Sequence, residues 1–119
     1  MGPFSEGWSH ADVQAVLERG LVEEVLYVPI VVSLNAPDCG PDWAESLCHQ
    51  LARHPHPHVR ANALLGFGHL ARLCRALDVD RASEAIRTGM RDADEGVRAH
   101  AFEAASDLQV FMGVSVQAC

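Results

Sequence analysis

Lysine is absent from this chain of 119 residues, and all nine of its basic residues are arginine. Against them stand 16 acidic residues, for a formal net charge of −7. So little positive charge removes the footprint of a general phosphate-backbone binder, and nucleic acid is not the expected partner. A basic partner is permitted. Long apolar runs are missing as well. The most apolar stretch, Val25–Leu34, contains Pro29 and falls well short of the roughly 20 residues that a membrane-spanning helix needs. It reads as core, and no membrane association is expected. Met1–His10 has neither the basic region nor the apolar block of a secretory signal. The four cysteines, Cys39, Cys48, Cys74 and Cys119, form no CxxC pair. Reduced thiols and a cytoplasmic location are the corresponding expectation.

What the chain does have is an internal repeat. Val59-Arg60-Ala61-Asn62-Ala63-Leu64 returns 38 positions later as Val97-Arg98-Ala99-His100-Ala101-Phe102. The same offset pairs Asp42 with Asp80, Ala44 with Ala82, Arg53 with Arg91 and Leu70 with Leu108. A fixed period of this size, each unit holding two helical patterns, is the signature of stacked helix pairs. The expected fold is all-α, a single domain 1–119 forming a short right-handed α-solenoid of three helix pairs, about six helices. The units run approximately over 9–35 (degenerate), 42–77 and 80–111, with a tail at 112–119.

Along the chain, Met1–Trp8 is expected to be loose. Ser9 suits the N-cap of a first helix carrying Val13, Val16 and Leu17. Leu21–Asn35 reads as a second helix, although its β-branched residues and Pro29 favour other structures. Asn35–Pro41 is turn chemistry. Asp42 then caps a helix burying Ala44, Leu47, Cys48 and Leu51, and Pro57 suits the first turn of the next. That fourth helix buries Val59, Ala63, Phe67, Leu70, Cys74 and Leu77. Asp80 caps the fifth, with Ala82, Ala85, Ile86 and Met90 inward. The turn Asp92–Gly96 precedes a sixth, which buries Val97, Ala101, Ala105, Leu108 and Phe111. Gly66 and Gly68 sit in mid-helix, each at a cost of about 1 kcal/mol relative to alanine. Their repeat partners Ala104 and Ser106 are also small, which predicts close helix–helix approach.

The acidic turn Asp92–Glu95 followed by Val97-Arg98-Ala99 and Ala101, with its second copy at Val59-Arg60-Ala61 and Ala63, resembles HEAT-like helical repeat proteins. Among these are the short repeats named after phycobilisome lyases. The resemblance implies that the turn acid and the arginine of the second helix bridge adjacent repeats; Arg60 would reach Asp92 or Asp94. It also implies a scaffold and not an activity. Some small bacterial members look like immunity proteins against secreted toxins, and others are adaptors or lyase-type proteins.

His54-Pro55-His56-Pro57-His58 is a candidate metal site, with His49 as a further ligand. Zinc, however, wants four fixed ligands, or three and a water. Since His54 and His56 stand where Asp92 and Asp94 stand in the other copy, they are expected to be helix-capping turn residues. No metal or cofactor is expected. The second helices carry two aligned columns, Asn62, Leu65 and His69 in one and His100, Glu103 and Asp107 in the other, extended to Glu24 and Tyr27 by the same offset. Spacings of i, i+3 and i+7 put each column on one face. These eight residues are the candidate partner-binding site, a mixed acidic groove; a solvated helix face is the competing reading. No serine or cysteine is placed to act with His69 or His100, so no catalytic residue is assigned. Trp8 and Trp43 cover the end of a core or serve as a binding hot spot. The expected role is non-catalytic protein binding, in its leading version the neutralisation of a basic toxin domain. A self-associating scaffold or homodimer built on Val25–Leu34 and a histidine-based metalloprotein or enzyme are the alternatives.

Overall fold

A computed structural model describes residues 1–118. The described residues are helical, without strands, in eight segments: α1 (His10–Arg19), α2 (Val22–Val25), α3 (Val28–Leu34), α4 (Ala36–Cys39), α5 (Pro41–Leu51), α6 (Pro57–Leu73), α7 (Val79–Met90) and α8 (Glu95–Met112). The molecule measures 37 × 30 × 19 Å, and its short dimension is about two helix diameters. Helix α6 lies between α3 and α8. Helix α5 packs against α6 and α3, and α7 packs against α8 and α6.

Helix α6 is the shared wall of two apolar clusters. Val59, Ala63 and Leu70 join a core with Val13, Val16, Val28, Val32 and Leu47. Ala61, Leu64, Phe67 and Ala71 join another with Ile86, Val97, Ala101 and Leu108. A helix buried on both flanks has room for few charges, which is why α6 reads as the least polar of the long helices. Burying each large side chain contributes on the order of 1.5–3 kcal/mol. Gly66 permits the approach on one flank: a Cβ there would press on Cys48 Sγ and lie 3.4 Å from Pro29 O. Gly68 permits it on the other, where the Asp107 carboxyl group lies against the helix.

Several sequence expectations need correction. The helix expected over Leu21–Asn35 is two pieces, α2 and α3, and the expected turn at Asn35–Pro41 contains the helical turn α4. Pro29 is the cause of the first break. At the start of α3 its missing N–H loses no intrahelical bond, whereas in mid-helix it would. Eight segments therefore replace the expected six. Asp42 lies inside the first turn of α5, whose N-cap is Gly40 at φ +108°. The cap of α7 is Asp78, whose carboxylate accepts from Arg81 N at 3.2 Å, and Asp80 lies within the helix. Met1–Trp8 is held and not loose: Phe4 is 4% exposed, and its ring meets Trp8 edge-on at 5.9 Å. The spacing of Phe4 and Trp8, four residues apart, was the available signal. The tail folds back, with Val114 N donating to Leu108 O and Val116 buried. Cys119 lies outside the described residues.

Candidate functional site

Two of the eight candidate residues are engaged in holding α6 to the chain before it. Asn62 donates through Nδ2 to Leu26 O at 2.8 Å. His69 Nδ1 lies 2.8 Å from Ser33 Oγ. The same hydroxyl lies 3.2 Å from Ile30 O, so Ser33 links the α3 backbone to the His69 ring. Burial pushes the His69 pKa down, Arg72 pushes it further, and the nearby Asp107 opposes both. The imidazole is therefore neutral at pH 7.

Leu65 and Tyr27 are half-buried, and Glu103 is exposed. His100 is half-buried and hydrogen-bonds through Nδ1 to Gly96 O at 2.9 Å, one turn back on its own helix. Glu24 binds Arg19, with Arg19 Nε and Nη2 donating at 2.9 and 3.2 Å to its two oxygens, and this lowers its pKa. The structure thus brings His69 and Asp107 together across the α6–α8 seam and places Glu103 beside them on α8. Glu24 stands apart, its charge already answered by Arg19. Neither Glu103 nor Asp107 has a cationic partner among the described residues.

The histidine run does backbone work. His54 Nδ1 accepts from His56 N at 3.0 Å, and His56 Nδ1 accepts from His58 N at 3.1 Å. Asp92 and Asp94 do the same in the second copy, accepting from Asp94 N and Val97 N, each at 3.0 Å. Among the described residues no group of three or more His, Cys, Asp or Glu side chains is arranged to hold a metal ion.

Sequence reasoning missed a cleft of about 550 Å³ between α5 and α7, lined by Ser46, His49, Gln50 and Arg53 on one wall and Arg81, Glu84 and Thr88 on the other. At its edge Glu45 is buried, its Oε2 2.9 Å from His49 Nε2 and its Oε1 accepting from Asp78 N at 3.0 Å. The i, i+4 spacing of Glu45 and His49 was the legible sign. Oε1 ties α5 to the start of α7 while His49, on α5 itself, holds Oε2, so the pair acts as a brace. Cys48, nearby on α5, has its thiol pushed up to about 12 by burial and then by Glu45, which excludes a thiolate nucleophile. At the other end of the molecule Trp8 stacks on Trp43 at 6.5 Å, and the His10 ring lies 3.5 Å from that of Trp43. Both tryptophans pack against the first core.

No helix among the described residues is long and apolar enough to cross a membrane. Comparison with protein-family models, curated proteins and solved structures returns no significant match.

Proposed function

We propose that the chain is a short HEAT-like solenoid that works as a non-catalytic protein-binding module. The stacking of α5–α6 on α7–α8 and the repeated arginine-bearing turns support that reading. The surface is the outer face of α3, α6 and α8, and its partner is a protein with exposed arginine or lysine, in the leading version a basic toxin domain. One observation carries the choice of face. Glu103 and Asp107 lie one turn apart on α8 without a counter-charge and share the column of His100, whereas the equally unpaired Asp80 and Glu84 stand on α7, outside the two aligned columns. Unanswered surface charge of one sign steers a partner of the other sign, acting mainly on association rate and screened within about 8 Å at physiological salt.

The test is a double charge change, Glu103→Arg with the isosteric Asp107→Asn, because the Asp107 side chain packs against α6 at Gly68. It is measured against a basic toxin domain by stopped-flow association at several salt concentrations. The control is Asp80→Arg with Glu84→Arg on α7; Glu45, being buried, is unsuitable. The first pair should slow association sharply and flatten its salt dependence, while the control changes little. Equal effects from both pairs reject the face.

A further inference from the structure

The turns before α6 and α8 are built alike, but only one of their arginines is fully used. Arg60 Nη1 donates to His54 O at 3.0 Å and Pro55 O at 2.8 Å. Its Nε and Nη2 then donate to the two carboxylate oxygens of Asp92, at 2.9 and 3.0 Å. Arg98 Nη1 is anchored the same way, to Asp92 O at 2.7 Å and Ala93 O at 3.1 Å. Its Nε and Nη2 meet no acceptor among the described residues. The turn holds the guanidinium, and the half that grips a carboxylate in the first copy is empty in the second.

The helix behind each arginine shows the same contrast. On α6, Ala61, Leu64, Gly68 and Ala71 form the flank covered by α8, and all four are buried. Their counterparts 38 residues on are Ala99, Phe102, Ser106 and Gln109, and all four are exposed, Phe102 at 54%. These four side chains are uncharged, the stripe runs beside the open side of Arg98, and exposed Glu103 borders it on the side away from Arg98.

We propose that this edge of α8, with Arg98 at its head, docks a helix of a partner protein that carries an aspartate or glutamate in the turn before it and an apolar flank. Charge complementarity selects that occupant: the vacant donors form a planar fork suited to a carboxylate. A second copy stacked head to tail would have to offer the flank of α3 turned away from α6. That flank is already covered, since Phe4 is buried in one core with Val31, Trp8 packs on that core, and Gly2 lies against the Tyr27 ring. The edge is distinct from the acidic face and prefers the opposite charge.

A helix-stapled peptide of residues 92–111 is the probe, because this segment presents Asp92 to Arg60 and covers the matching flank of α6. Titrated into the 15N-labelled full chain, it should give saturable shifts at Arg98 Nε–H, Ala99, Phe102 and Ser106. Asp92→Asn in the peptide should weaken binding about tenfold, the scale of one charge-assisted bidentate pair. Phe102→Glu in the chain should abolish binding with the melting temperature unchanged, and Asp80→Arg with Glu84→Arg on α7 should leave it intact. Absence of saturable shifts at the edge with a peptide shown to be helical overturns the proposal, as does equal affinity for the Asp92→Asn peptide. Concentration-dependent shifts at Phe102 without peptide, accompanied by dimer in sedimentation, would make a second copy the occupant and also overturn it.

Discussion

The two ends of this molecule close differently. At the amino end a short non-helical segment folds across α3, buries Phe4, and stacks Trp8 on Trp43 with His10 beyond it. At the carboxyl end the tail turns back to bury Val116 yet leaves one flank of α8 in solvent, with Phe102 and Val110 exposed. Stacked helix pairs can be capped by any segment that covers the last apolar flank, and helices are not required for it. A covered end contributes to stability, and an uncovered one is available for contact.

Phenylalanine offers the sharpest way to break the comparison. Phe4→Ala should cost about 3 kcal/mol, as removal of a buried ring does, while Phe102→Ala should stay within about 0.5 kcal/mol in the same urea titration. Equal costs would mean that the ends are not different. Glycine comes next. Gly68→Ala pushes a methyl into Asp107 and should destabilise by about 1–3 kcal/mol through overpacking, whereas Ser106→Ala at the equivalent exposed position should be nearly neutral. Arginine follows. Arg60→Ala removes a partly exposed bidentate pair, worth about 1 kcal/mol, and Arg98→Ala should cost less.

The Arg60 pair also has a pH signature. Its hydrogen bonds hold the Asp92 carboxyl below its ordinary value of 3.8. That stabilisation is present above 3.8 and is lost as pH falls through the folded value. An acid titration of Arg60→Ala should lack this step. The smallest effect belongs to His69, whose folded pKa lies below the ordinary 6.5 because burial disfavours the cation. The unfolded chain then binds the proton more readily, so stability should fall as pH drops below about 6.5 and level off below the folded value. A His69→Gln variant should show a shallower slope there by thermal melts; an unchanged slope would reject burial of the ring as its source.

Much of the fold was legible because apolar spacing reports burial directly. Ala44, Leu47, Cys48 and Leu51 are all buried, as are Val59, Ala63, Phe67 and Leu70, and each set follows a single helical stripe. The reach of Arg60 to Asp92 was legible only through the family resemblance and the repeat offset. The division of α2 from α3 was harder, because Pro29 is compatible with either a kink or a fresh start and only packing decides. The site was less legible than the fold. Asn62 and His69 looked like surface polar groups by spacing, but their partners Leu26 O and Ser33 lie on segments where the 38-residue register lapses. No periodic argument reaches a partner outside the period. Glu45 lies outside the apolar stripe of α5, and the backbone N–H of Asp78 that holds it lies in a loop.

The histidine turn before α6 has a further consequence, for the order in which the molecule comes apart. Its hydrogen bonds rest on imidazole lone pairs, where the turn before α8 uses carboxylates. A lone pair that takes a proton no longer accepts, so acid releases the His54 bond at a pH where the Asp92 carboxylate, held low by Arg60, still accepts. Burial, His56 and Arg60 lower the His54 pKa, which postpones the event without preventing it. On mild acidification the amide of His56, held by His54, would lose its exchange protection before that of Asp94, held by Asp92. The molecule would then loosen from its middle while both ends remain closed on themselves.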